Sequence, residues 1–251
     1  MTAPRQCMGF SKPITAIVIG ARGGIGAAFA DAIEQSHPSN VVWRTARDAT
    51  ALTGHNTNTE SLDLTNEGSI ISFVTRLKDE GVQPDVVINC TGLLHSSTVD
   101  PEKTWRHLDI DTMRRVFDVN TFGVALLGKH LLPLMPRKQR SVFATLSARV
   151  GSIGDNRLGG WYSYRASKAA QNMIVKTLAL EASRRWKQLI CVALHPGTVD
   201  SELSAPFSSR VPEHKLFTPV QSCGYLMDVI QQLTAEQTGG FFAWDGQAIE
   251  Y

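Results

Sequence analysis

Cysteine is scarce in this sequence: only four occur among 251 residues, and no two of them form a Cys-x-x-Cys pair. That spacing excludes the common zinc and thiol–disulfide motifs, so no metal site is expected. Cys90 and Cys191 lie in apolar runs and are predicted to be small core residues. A chain of this length needs no disulfide scaffold, and the cysteine usage fits a reducing compartment, so we expect a cytoplasmic protein.

Long apolar runs and an excess of one charge are also missing. No run reaches the about 18 apolar residues of a membrane span, and the first thirteen residues lack the apolar segment of a signal peptide. The net charge is only +2, with acids and bases mixed along the chain. This composition favours a small-molecule ligand and predicts neither a membrane nor a nucleic-acid partner.

What is present is a regular alternation of apolar strand-like runs with helix-length segments. The predicted strands are 14–19, 41–45, 61–64, 85–89, 141–147, 189–194 and 241–244. The predicted helices are 27–33, 69–77, 113–132, 163–186 and 220–233. This order predicts one α/β domain over residues 1–251, a Rossmann-type, doubly wound, mainly parallel seven-stranded sheet with helices on both faces. The longest irregular stretch, 198–219, is predicted to be a substrate loop or lid.

A glycine-rich turn joins the first predicted strand to the first helix. Small residues there let the backbone approach the pyrophosphate of a dinucleotide, and the helix N-terminus supplies N–H donors. The predicted cofactor contacts in this turn are Gly20, Arg22, Gly23, Gly24, Ile25 and Gly26.

The residues after the second strand bear on the choice between NAD and NADP. NAD-binding turns carry an acid about 20 residues past the glycines, where this sequence has Ala46 followed by Arg47. Arg47 and Arg22 suit a 2′-phosphate, because a guanidinium pairs with phosphate through two hydrogen bonds. We therefore expect NADP (NADPH). Asp48 keeps NAD as the less favoured alternative.

Tyr164 and Lys168 stand four residues apart at the start of the longest predicted helix, so both side chains lie on one face. A neighbouring ammonium favours the phenolate, and lowering the phenol pKa in this way would suit proton transfer to or from a substrate oxygen.

These motifs, in this order, resemble the classical short-chain dehydrogenases/reductases over nearly the whole chain, most closely the C-factor and sniffer-type carbonyl reductase branch. The resemblance implies a catalytic group of Tyr164, Lys168, Asn120 and Ser147. It implies further cofactor contacts at Asp63, Leu64, Asn89, Thr91, Gly92, Pro196, Gly197, Val199 and Ser201. It also implies a homodimer or homotetramer.

One position departs from the family pattern. Counting back from Gly151, the usual catalytic serine falls on Ala148, with Ser147 before it. Strand neighbours point to opposite faces, so Ser147 replaces that serine only if the strand end twists or bulges. Ser152 is the other candidate hydroxyl.

The expected function is therefore NADP(H)-dependent interconversion of a ketone or aldehyde and an alcohol, with Tyr164 as general acid or base. Two alternatives remain at this point. One is a non-catalytic or weakly catalytic NAD(P)-binding signalling protein, which Ala148 favours; the other is an NAD-dependent alcohol dehydrogenase.

Overall fold

The computed structural model describes residues 7–52, 57–210 and 212–251; the first six residues and residue 211 of the predicted lid lie outside this part. The strands are β1 (Thr15–Ile19), β2 (Val41–Ala46), β3 (Thr57–Ser61), β4 (Val86–Asn89), β5 (Ser141–Leu146), β6 (Leu189–His195), β7 (Thr198–Val199), β8 (Leu216–Phe217) and β9 (Phe241–Ala243). The helices are α1 (Gly24–Ser36), α2 (Glu67–Asp79), α3 (Ile110–Phe117), α4 (Gly123–Leu131), α5 (Tyr162–Ala182) and α6 (Pro219–Gln232).

Seven strands form one sheet in the order β3-β2-β1-β4-β5-β6-β9, and every neighbouring pair is parallel. The predicted doubly wound α/β fold is thus confirmed. Strand β1 pairs with both β2 and β4, so the strand order reverses beside it. In sheets of this kind, ligands bind outside the carboxyl ends of the strands at that reversal.

Helices cover both faces of the sheet because its central strands are mostly apolar and are buried on both sides. Phe29 of α1 and Leu226 of α6 belong to the core on one face. Phe73 of α2, Leu127 of α4 and Val175 of α5 belong to the core on the other. The carboxyl edge of the sheet is left to the connecting loops.

Most boundaries differ from the sequence prediction by a few residues, and two elements differ in more than their ends. The strand predicted over 61–64 is wrong: β3 is Thr57–Ser61, and Leu62 and Leu64 follow it as core residues that are 3% and 5% exposed. These two buried leucines alternate with the more exposed Asp63, which is the pattern typical of a strand. The helix predicted over 113–132 begins earlier, at Ile110, where Asp109 caps it, and it is interrupted by a π-helical turn at Asp118–Phe122.

No helix among the described residues is long and apolar enough to cross a membrane. Within the same ranges, no group of three or more histidine, cysteine, aspartate or glutamate side chains is placed to hold a metal ion. All four cysteines are free.

Candidate active site

The glycine turn lies against the carboxyl end of β2. The backbone N–H groups of Gly20 and Ala21 both donate to the carbonyl oxygen of Thr45, at 2.9 Å, and Gly20 has a φ of 80°. A Cβ atom at Gly26 would lie 2.3 Å from the Gly20 carbonyl oxygen. A side chain at position 26 would therefore force this backbone to shift, and the glycine keeps the turn narrow enough for α1 to begin directly behind it.

Helix α1 begins with free N–H donors. Gly23 is its N-cap, with no side-chain cap and no acidic residue in the first turn among the described residues. Gly23 and Gly24 are exposed, while Ile25 packs against the core. The first N–H groups of a helix have no partners within it and favour an anion. The turn therefore fits the pyrophosphate of a dinucleotide.

Two arginines are exposed beside the end of β2. Arg22 and Arg47 both face solvent, whereas the Asp48 carboxylate accepts hydrogen bonds from the Thr50 hydroxyl at 2.6 Å and from its N–H at 3.0 Å. These bonds, together with the charge of Arg22, lower the pKa of Asp48. Asp48 is thus engaged with Thr50, and all three side chains are exposed at this end.

The residues after β3 and β4 extend the crevice. Asp63 accepts hydrogen bonds from the N–H and hydroxyl of Thr65, at 2.9 and 2.8 Å, and Leu64 is buried. Asn89 accepts from the N–H and hydroxyl of Thr91, at 3.1 and 2.7 Å. The loop after β4 therefore has a fixed backbone along the side of the crevice.

Asn120 occupies the π-helical turn and is 1% exposed. Its amide oxygen accepts from the Leu93 N–H at 2.7 Å, and its amide nitrogen donates to the Leu93 carbonyl at 2.9 Å and to the Ser167 hydroxyl at 3.0 Å. A π-turn inserts an extra residue into a helix, often at a functional site. Here it places Asn120 between the loop after β4 and α5.

Tyr164 and Lys168 lie together, as their spacing predicts. Lys168 Nζ is 5.8 Å from the centroid of the Tyr164 ring, and it donates to the Leu146 carbonyl at 3.0 Å and to Gln171 Oε1 at 2.8 Å. A Cβ at Gly92 would lie 3.6 Å from Lys168 Nζ. The lysine therefore joins the end of β5, the loop after β4 and the helix that carries the phenol.

The electrostatics of this pair differ from the prediction. Burial raises the pKa of Tyr164, and burial lowers the pKa of Lys168 to about 7. The two residues are only 7% and 2% exposed, so loss of hydration, which disfavours the charged form of each, outweighs their mutual attraction. The expected lowering of the phenol pKa by Lys168 is thus wrong for the protein by itself.

The lowered pKa of Lys168 predicts a pH-dependent stability. In the unfolded chain a lysine has a pKa of about 10.4, against about 7 in the fold. Between these values the unfolded state binds a proton that the folded state does not, so the free energy of unfolding rises with pH across this window. We expect the Tm to rise from about pH 6 to about pH 9, and the Lys168→Met variant to lose most of this slope. An exposed-lysine control, Lys187→Met, should keep the slope; equal slopes in wild type and Lys168→Met would contradict the assignment.

The predicted catalytic serine is hydrogen-bonded to α5. Ser147 is buried and its hydroxyl donates to Asn172 Oδ1 at 2.7 Å. Asn172 stands four residues beyond Lys168, on the same face of the helix. The Ser152 hydroxyl accepts from the Asp155 N–H at 3.2 Å. Each candidate hydroxyl thus takes part in a hydrogen bond with another residue, Ser152 locally and Ser147 across to α5.

Sequence analysis missed the group that fixes the start of α5. Glu102 is 3% exposed, and its carboxylate accepts hydrogen bonds from both the N–H and the hydroxyl of Ser163. Trp161, the N-cap, has a left-handed φ of 52°. A carboxylate at a helix N-terminus is stabilising, so Glu102 holds the turn that carries Tyr164. Glu102 lies in a polar segment distant in sequence, and no local motif marks it.

The segment after β6 lies at the same carboxyl edge of the sheet. Gly197 has a φ of 77°, and a Cβ there would lie 2.6 Å from the Phe217 ring. Val199 pairs with Phe217 between β7 and β8, and the Ser201 hydroxyl donates to the Val199 carbonyl at 3.3 Å. The predicted irregular loop thus starts and ends in a short parallel strand pair beside Pro196.

An aromatic chain runs from this loop to the phenol. The Phe207 ring lies 4.9 Å from the Trp161 ring and 5.8 Å from the His95 ring, and Trp161 lies 6.2 Å from Tyr164. The His95 Nε2 is 3.1 Å from the Leu203 carbonyl oxygen. The loop therefore contacts the helix start that holds Tyr164.

Comparison with known proteins gives one family. The short chain dehydrogenase family model matches residues 14–211. A relative from Rhodococcus sp., 1-hydroxy-2-glutathionyl-2-methyl-3-butene dehydrogenase, is 33% identical over 190 residues, which cover 76% of this chain and 78% of that protein.

Solved structures share the fold. An NADPH-bound carbonyl reductase from chicken fatty liver superposes with a TM-score of 0.83 at 24% identity, covering 97% of this chain and 96% of that one. A 3-ketoacyl-(acyl-carrier-protein) reductase from Brucella melitensis, complexed with NADH, gives 0.76 at 20% identity, covering 93% and 97%.

Proposed function

Because the chain belongs to the short-chain dehydrogenase family, we propose that it is an NADP(H)-dependent oxidoreductase that interconverts a ketone or aldehyde and an alcohol. The observation that carries this proposal is the meeting of Tyr164, Lys168 and Gly92 at the sheet edge that also holds the glycine turn. The Rhodococcus relative, whose name describes the dehydrogenation of a hydroxy compound, supports the same class of reaction.

The glycine turn and the N-terminus of α1 would hold the pyrophosphate, with Asn89 and Gly197 toward the nicotinamide. When bound, the nicotinamide supplies or accepts the hydride. Burial keeps Tyr164 protonated, so its hydroxyl is a donor for the oxygen of a carbonyl substrate. Because the Ser147 hydroxyl donates to Asn172, Ser147 is not assigned the role of holding the carbonyl oxygen. Lys168 and Asn120 hold the surrounding backbone.

We further propose that the 198–219 segment covers the substrate. Phe207 contacts Trp161, and Trp161 contacts Tyr164. A substrate whose carbonyl reaches the phenol would therefore lie beside these rings.

The cofactor preference follows from Arg22 and Arg47. We expect the protein to bind NADPH more tightly than NADH, and Arg47→Ala to weaken NADPH binding about tenfold, the size of one lost charge-assisted phosphate contact. NADH binding should change little. Calorimetric titration with both nucleotides measures this, with the exposed Arg184→Ala as the control. An equal loss for both nucleotides, or tighter binding of NADH, would overturn the preference and favour an NAD-dependent alcohol dehydrogenase.

The reaction itself is tested by a screen of NADPH oxidation against aldehydes, ketones and diketones. The proposal expects at least one of them to yield the corresponding alcohol with NADPH consumed in equal amount. Ala148, in place of the family's serine, favours a second candidate, a non-catalytic nucleotide-binding protein. That candidate predicts tight NADPH binding and no oxidation across the whole panel.

A further inference from the structure

A surface pocket of about 340 Å³ opens in the segment between β5 and α5. A cavity of this size accommodates a small functional group with part of the chain that carries it. Its lining residues are Arg149, Val150, Asp155, Arg157, Leu158 and Arg165.

The pocket is strongly basic. Three guanidiniums face one carboxylate, which leaves a formal charge of +2 (3 − 1) among the lining residues. The Asp155 carboxylate lies 3.7 Å from an Arg149 nitrogen, with both side chains about half exposed, a contact that contributes little to stability. The single carboxylate does not neutralise the charge of the three guanidiniums.

Two of the guanidiniums retain free donors. Arg165 uses its Nε to donate to the carbonyls of Gly159 at 3.2 Å and Gly160 at 3.0 Å, which fixes the planar group and leaves its terminal nitrogens for another partner. Arg157 has no hydrogen bond or ion pair with any other described residue. A fork of fixed N–H donors matches the two oxygens of a carboxylate.

Two lining residues adjoin the proposed catalytic group along the chain. Arg165 directly follows Tyr164, so their Cα atoms are about 3.8 Å apart, and Arg149 is two residues after Ser147. Burial and the charge of Arg149 lower the pKa of His195 to about 4, so Arg149 also lies near the end of β6.

This pocket is separate from the adenosine end of the crevice. Arg22 and Arg47 lie beside β2, which is three strands from β5 in the sheet order, or about 14 Å at the usual strand spacing. The two basic groups are therefore distinct.

We propose that this pocket binds a carboxylate of the substrate, so that the enzyme acts on carbonyl compounds or alcohols that carry a carboxylate away from the reacting carbon. The proposal rests on the proposed function. Arg157 and Arg165 hold the anion, and Val150 with Leu158, which is 91% exposed, offers an apolar wall to the connecting carbons.

The test compares 4-carboxybenzaldehyde with its methyl ester, which differ in one negative charge. In wild type the acid should have the higher kcat/KM. In Arg157→Gln the acid-to-ester ratio of kcat/KM should fall about tenfold, the usual value of one charge-assisted contact, mainly through the KM of the acid. The control Arg184→Gln removes an exposed arginine just beyond the C-terminal end of α5 and should leave the ratio unchanged.

Calorimetric titration of both probes separates failure of the pocket from failure of the proposed function. Suppose that neither aldehyde is reduced but the acid still binds to wild type and loses affinity in Arg157→Gln. Carboxylate binding in the pocket is then supported, and the proposed reaction is contradicted. The pocket is overturned if wild type binds the acid no better than the ester, if Arg157→Gln leaves the ratio intact, or if Arg184→Gln lowers it equally.

Discussion

Tyr164→Phe is expected to lower kcat about a thousandfold, within the range for loss of a positioned general acid, while the Kd for NADPH stays within about twofold. The phenol ring packs against Trp161, and a phenylalanine keeps that packing and the shape of the crevice. Only the hydroxyl that would protonate the substrate oxygen is removed. Steady-state NADPH oxidation and calorimetric NADPH titration measure the two quantities on the same preparation.

Tyr162 supplies the matched control. It stands two residues earlier on α5 and is 36% exposed, so Tyr162→Phe removes a phenol hydroxyl from the same helix turn on another face. We expect it to keep nearly normal kcat. A Tyr164→Phe enzyme with wild-type kcat, or equal losses in both variants, would rule out Tyr164 as the proton donor.

Gly26→Ala is expected to weaken NADPH binding about a hundredfold, since displaced N–H donors lose charge-assisted hydrogen bonds to the pyrophosphate, each worth about 1.5–3 kcal/mol. The new Cβ would lie 2.3 Å from the Gly20 carbonyl oxygen and 2.9 Å from its carbonyl carbon. Both atoms are backbone, so the whole turn must shift, together with the N–H donors of α1. Calorimetric titration with NADPH measures the loss.

Gly224→Ala is the matched control because the substitution is identical but the space is open. A Cβ at Gly224 meets no atom within 4 Å, and the residue lies inside α6. Alanine there should leave NADPH affinity unchanged and raise the free energy of unfolding by up to about 1 kcal/mol. If Gly26→Ala bound NADPH as tightly as Gly224→Ala, the glycine turn would not be the pyrophosphate site.

The sheet and its helices were predictable because their signals are local. Continuous apolar runs in β1, β4 and β5 report burial on both faces, and the glycine turn marks where a strand meets a helix. Strand β3 was placed wrongly because Leu62 and Leu64 are buried without being in the sheet. The π-turn at Asn120 depends on its pairing with Leu93, 27 residues earlier, which no local pattern reports.

The sequence predicts which residues lie together in the site better than it predicts the directions of their pKa shifts. Helical spacing alone places Tyr164 and Lys168 side by side, and their proximity is as expected. The direction of the Tyr164 pKa was not, because it depends on how deeply the surrounding chain buries the pair. The role of Glu102 could not be predicted either, because its carboxylate binds Ser163, 61 residues away in the sequence, and this contact exists only in the folded chain.

The most direct test of the proposed chemistry uses NADPH with deuterium at both positions of the hydride-bearing carbon, together with an aldehyde that the enzyme reduces. Mass spectrometry of the product alcohol is the measurement. Direct hydride transfer predicts one deuterium on the former carbonyl carbon in wild type and in Tyr162→Phe, and almost no labelled alcohol from Tyr164→Phe. Unlabelled alcohol from wild type, or no alcohol from any carbonyl compound with the protein saturated in NADPH, would contradict it.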